Sequence, residues 1–144
     1  MTRVVATGTF DIIHPGHLFY LAESKALGDE LWVIVARDEN VRHKPKPIIP
    51  EDQRLRMVLG LKPVDHAVLG DKTDKFQPIR DIVPDIITIG CNQRFTPESL
   101  EAELRKHGFE IPVVRIDEYR SCELCSSSQI IERALMQRGH PPSR

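Results

Sequence analysis

Short apolar runs alternate along this chain with longer stretches in which apolar residues recur at helical spacing. Residues 3–7 (RVVAT) are rich in β-branched side chains and close on Gly8, the pattern of a first strand. In residues 17–27, Leu18, Tyr20, Leu21, Ala22, Ala26 and Leu27 keep a helical rhythm, and Gly28 suits the stop. Residues 31–36 (LWVIVA) are apolar throughout, which predicts a strand buried on both faces. Residues 51–61 then predict a helix entered through Pro50, residues 67–69 a short strand, and residues 78–83 a weaker helix. Residues 85–90 (DIITIG) predict a fourth strand. Thr96 caps the next helix, with Pro97 at its first position and Leu100 and Leu104 on its buried side. Residues 111–116 (IPVVRI) predict a fifth strand and residues 128–137 a closing helix.

Strand and helix thus alternate about five times. The economical arrangement is α/β, a five-stranded parallel sheet with helices on both faces and right-handed crossovers. No internal repeat or domain boundary interrupts the pattern, so residues 1–144 are expected to form a single domain, with about 139–144 as a flexible tail.

Composition narrows the function. A chain of 144 residues, 40% hydrophobic and 28% charged, is an ordinary globular sequence. A formal charge of −1 argues against a general binder of nucleic acid or membrane surfaces, although Arg42, Lys44 and Lys46 concentrate positive charge locally. No stretch approaches the roughly 18 apolar residues that cross a bilayer. The first residues lack the features of a signal peptide. Cys91, Cys122 and Cys125 are too few for a secreted disulfide framework. A cytoplasmic protein is expected.

The chemistry concentrates after the first strand. Thr7, Gly8, Thr9, Phe10 and Asp11 lead into His14-Pro15-Gly16-His17 and then a helix. A glycine at the strand end lets backbone approach a ligand closely. Unpaired N–H groups at a helix N-terminus favour an anion by roughly 0.3–1 kcal/mol when exposed. Two histidines there can donate ring N–H bonds to phosphate oxygens, more strongly as charge builds in a transition state. A helix cap alone is the competing reading of HPGH.

GTFDIIHPGH resembles the signature of the His-x-Gly-His superfamily of cytidylyltransferase-like nucleotidyltransferases. The resemblance implies a Rossmann-like domain. It also implies that His14 and His17 contact a triphosphate, that the backbone of Thr7, Gly8, Thr9 and Phe10 lies along the nucleotide, and that Asp11 helps hold the site. Lys44 and Lys46, in the proline-stiffened HKPKP segment, match lysines that lie near substrate phosphates in the similar glycerol-3-phosphate cytidylyltransferases. Arg54 falls where these relatives have an arginine, which suggests a ligand contact. A solvated basic loop is the alternative for the lysines.

Near the C-terminus, Arg120 and the run Ser126, Ser127 and Ser128 resemble the superfamily's second motif, in which an arginine and hydroxyl residues bind phosphates at a helix N-terminus. The serines would also make a good N-cap, and both readings can hold together. Asn92 stands where many relatives carry an aspartate near the base. Cys122 and Cys125 form a Cys-x-x-Cys that could be redox-active, could supply two zinc ligands, or could be two ordinary thiols.

Taken with VIVARDENV, KPIIPEDQR, LKPVD and CELCSSS, the motif makes nearly the whole chain similar to archaeal-type FAD synthases. That resemblance implies transfer of AMP from ATP to FMN with release of pyrophosphate, a divalent metal cation such as Mg²⁺, and homodimers like those common among relatives. The alternative enzyme is a glycerol-3-phosphate cytidylyltransferase or another sugar- or alditol-phosphate nucleotidyltransferase. A non-catalytic nucleotide-binding protein is the reading from another class.

Overall fold

The computed structural model describes residues 1–42, 45–91, 93–117, 119 and 121–139. Five strands, β1 (Arg3–Gly8), β2 (Glu30–Val35), β3 (His66–Leu69), β4 (Ile86–Ile89) and β5 (Val113–Arg115), form one sheet in the order β3-β2-β1-β4-β5. Every pairing is parallel. Helices α1 (Pro15–Lys25), α2 (Glu51–Leu59), α3 (Gln77–Ile82) and α4 (Pro97–Lys106) make the four crossovers, and α5 (Ser127–Arg138) follows the last strand. The chain winds outward from β1 to β3, returns through α3, and winds outward again from β4. The direction therefore reverses between β1 and β4, which opens a crevice at their carboxyl ends.

Alternation along the strands explains the two layers. Val4 and Ala6 point to one face, where Leu31, Val33, Val35, Tyr20 and Leu21 of α1 and Val58 of α2 complete a cluster. Val5 points to the other face, joining Ile87, Ile89, Ile79 and Ile82 of α3 and Leu104 of α4. Each fully buried valine or leucine contributes roughly 1.5–3 kcal/mol, so both layers are needed for a chain this short.

One sequence expectation needs correction. The run at residues 31–36 is not buried on both faces. Leu31, Val33 and Val35 are fully buried, whereas Trp32 and Ile34 are only partly covered. The helical partners on that second face come from α3 and α4, grouped with β1, β4 and β5, so the outer half of the sheet lies at the margin of their cluster. Elsewhere the differences are at element ends. The first helix starts at Pro15 because proline suits the opening turn, and β5 is shorter than residues 111–116. No helix among the described residues is long and apolar enough to cross a membrane. The tail expected at about 139–144 lies outside the described residues from 140 onward.

Candidate active site

β1 delivers the first half of the site to the crevice. A Cβ at Gly8 would stand 2.8 Å from the Phe10 ring, so only glycine lets that ring fold back under the strand end. Phe10 adopts φ 56 and is buried, 6.3 Å from the Tyr20 ring and 5.2 Å from that of His17. The side chain of Phe10 is thus a core wedge, and only its backbone can face a ligand.

The two histidines meet face to face at the mouth of α1, with ring centroids 3.8 Å apart. His14 is the N-cap residue, and its N–H donates to His17 Nδ1 at 3.3 Å. In the neutral ring this places the His17 proton on Nε2, as a donor. The ring of His14 lies over the first turn, yet its Nδ1 is buried and makes no hydrogen bond among the described residues. Burial also pushes the His14 pKa below its ordinary value of 6.5, because desolvation penalises the charged form. His14 and His17 are arranged as a capping box across the first turn, so His14 Nδ1 faces the helix N-terminus without a close hydrogen bond among the described residues.

Beneath them, a hydrogen-bond chain fixes the strand end. Tyr20 lies one helical turn below His17. Its hydroxyl accepts from Thr7 N at 3.1 Å and reaches the carbonyls of Thr7 at 2.9 Å and Thr88 at 3.0 Å. Ser24, the next inward position, bonds to Thr88 Oγ1 at 2.8 Å. Gln93 Nε2 donates to the Thr7 carbonyl at 2.7 Å. The backbone N–H and C=O of Thr7 are therefore engaged within the protein, and its hydroxyl donates to Gln93 Oε1 at 3.3 Å. Sequence reading put Tyr20 on a helix but missed its role; the spacing His14, His17, Tyr20, Ser24 on one face was the available signal.

The basic loop is tied to this turn. Asp11 accepts from Ile48 N at 2.9 Å and Ile49 N at 2.8 Å. Lys46 is exposed and reaches the Asp38 carbonyl at 2.9 Å. Arg54 departs from its expected role. It is fully buried and spends its donors on protein acceptors, so it does not contact a ligand.

The second motif reaches the same crevice through α5. Ser126 caps the helix, accepting from Gln129 N at 3.2 Å, and Ser127 Oγ donates to the Ile12 carbonyl at 3.2 Å. Ser128 is exposed in the first turn. A Cβ at Gly16 would stand 2.6 Å from the Cys125 carbonyl, so the glycine between the histidines is where the two halves touch. Cys122 and Cys125 form a disulfide. Among the described residues, no group of three or more His, Cys, Asp or Glu is placed to hold a metal ion. Lys44, Asn92 and Arg120 lie outside the described residues.

The chain matches the cytidylyltransferase-like family over residues 5–133. It is 64% identical over 141 residues to the FAD synthase of Methanoculleus marisnigri, covering 98% of this chain and 94% of that one. It is also 64% identical over 138 residues to the FAD synthase of Methanothrix thermoacetophila, covering 96% of each. Among solved structures, a lipopolysaccharide core biosynthesis protein from Thermoplasma volcanium GSS1 superposes with a TM-score of 0.79 at 46% identity, covering 83% of this chain and 99% of that one.

Proposed function

The chain belongs to the cytidylyltransferase-like family, and on that premise we propose that it is an FMN adenylyltransferase, joining AMP from ATP to FMN with release of pyrophosphate. A phosphate oxygen of FMN attacks the α-phosphorus of ATP. The new P–O bond forms as the bond to the β-phosphate oxygen breaks, and pyrophosphate carries away the electron pair. No protein nucleophile takes part, so the work of the chain is alignment and charge stabilisation.

The observation that carries this reading is the His14 and His17 pair. The two rings stack at a helix mouth in the topological crevice, with a buried ring nitrogen lacking a partner among the described residues. We assign both rings to the triphosphate, with donation from His17 Nε2 strengthening as charge moves toward the leaving group. On this reading the turn from Thr7 to Phe10 and the serines from 126 to 128 both contact the nucleotide. Lys46, with Lys44, Arg120 and Asn92 of the sequence motifs, completes the proposed contacts. A divalent cation fits this donor set only as a companion of the triphosphate, since the described residues build no metal site of their own. Bound there, it would offset phosphate charge. A cytoplasmic location and a homodimer belong to the same proposal.

Purified protein is incubated under reducing conditions with Mg²⁺ and either ATP with FMN or CTP with glycerol 3-phosphate, and both pyrophosphate and product are followed. FAD from the first pair is the expected result. A CDP-linked product alone would keep the histidine chemistry and overturn the flavin assignment. His14→Ala and His17→Ala should each lower turnover roughly 100- to 1,000-fold, as for loss of one transition-state donor. A loss under about threefold in either would remove that ring from the reaction.

A further inference from the structure

The geometry points to Arg54 as a positioning residue for adenylyl transfer, a buried clamp that holds the basic loop against the phosphate turn without touching either substrate. Arg54 opens the inner face of α2 and is 0% exposed. Its Nε donates to the Ile49 carbonyl at 2.8 Å, one Nη to the carbonyls of Thr9 at 2.6 Å and Ala36 at 2.8 Å, and the other to Asp38 Oδ1 at 2.5 Å. Those acceptors lie on separate segments that converge on the crevice. Thr9 belongs to the phosphate turn, Ala36 to the end of β2, and Ile49 to the end of the basic loop.

Two further ties close the assembly. Asp38, held by Arg54, accepts the ammonium of Lys46 on its carbonyl at 2.9 Å. Asp11, in the phosphate turn, accepts from the N–H groups of Ile48 and Ile49. The loop is therefore strapped twice, by its N–H groups to Asp11 and by a carbonyl to Arg54. A buried guanidinium without acceptors would be costly, so its four bonds hold the three segments at one spacing. The planar fork matters, because it aims donors in divergent directions, whereas a lysine offers three donors from a single point. Loosening the clamp moves the loop relative to the α-phosphate, and a displacement near 1 Å can cost on the order of 100-fold in rate.

This inference rests on the adenylyl-transfer reading for its kinetic test. Arg54→Lys should lower kcat for FAD formation roughly 10- to 100-fold while the KM for ATP stays within about threefold, at a temperature where circular dichroism shows native fold. A kcat within about threefold of wild type, or a loss carried wholly by the KM for ATP, overturns the clamp. Should Arg54→Lys fail to fold, Asp11→Asn makes the same test from the other strap. Its amide keeps one acceptor, so kcat should fall at least about threefold with the same split, and an unchanged kcat overturns the proposal. If the wild-type chain makes no FAD, the flavin reading alone fails, and amide exchange decides the clamp. The N–H groups of Ile48 and Ile49 should exchange at least about tenfold faster in Arg54→Lys, or in Asp11→Asn where the lysine variant does not fold, and unchanged protection overturns it.

Discussion

Burial of His14 has a consequence at the scale of one titration. Its folded pKa lies below 6.5, so the unfolded chain binds this proton more readily than the folded one. The stability it contributes is complete above pH 6.5 and is lost as the pH falls through 6.5 toward the lowered folded value. A bound triphosphate supplies negative charge and an acceptor, which favours the protonated ring and raises the pKa again. The His14 ring signals, followed by NMR across pH, should titrate below 6.5 in the free protein and move upward with a non-hydrolysable ATP analogue. A midpoint that ignores the nucleotide would separate His14 from the phosphates. Tyr20 makes the complementary case. Burial, its first cause, pushes the phenol up to about 12, so it stays a neutral hydrogen-bonding post under the strand end. Tyr20→Phe removes the acceptor of the Thr7 N–H and the hydroxyl beside the Thr88 carbonyl, while Gln93 still serves the Thr7 carbonyl, and urea unfolding should show a loss of about 1–3 kcal/mol.

Between elements, the second motif depends on how the chain around α5 docks against the histidine turn. The helix buries none of its residues and reaches the turn before α1 through Ser127 on the Ile12 carbonyl, while the segment leading into it adds Cys125 against Gly16 and the Tyr119 ring 5.1 Å from that of Phe19 in α1. A methyl group at Gly16 would collide with the Cys125 carbonyl and with the His14 ring at 2.8 Å. Gly16→Ala should therefore lower turnover roughly 10- to 100-fold by parting the two halves of the site. Gly60 is the control, since a Cβ there meets nothing nearer than 3.6 Å and Gly60→Ala should keep full activity. Equal losses in both variants would show that the Gly16 contact has no special place in the reaction. The same contact explains why the second motif was only half legible. A serine run before an apolar helix announces a cap, but nothing local states that the cap lies against a turn more than a hundred residues earlier.

At the scale of the whole molecule, the reversal of strand order between β1 and β4 collects these pieces at one edge of the sheet. The first and second motifs are distant in sequence, and the parallel crossovers bring both to the carboxyl ends of the strands. The match to the cytidylyltransferase-like family does not by itself name a product. The relatives that support FMN match along nearly the full length of this chain rather than at the histidines alone. The paired assay with ATP and CTP is therefore a test of the whole chain. It should yield FAD, whereas the histidine variants test only the shared edge.

The sequence by itself determined the alternation of strands and helices, the parallel sheet and the glycine-bearing turn before two histidines. Period, punctuation and residue type are local properties, and they survive without knowledge of neighbours. Tertiary structure alone decided that Arg54 is a clamp, that Tyr20 props the Thr7 backbone, that Trp32 and Ile34 are half-covered, and that Gly16 meets Cys125. Each of these depends on which distant carbonyl or ring arrives beside the side chain. A buried arginine and a ligand-binding arginine read alike in sequence, because the same guanidinium serves a phosphate or three backbone carbonyls, and only the fold supplies one or the other.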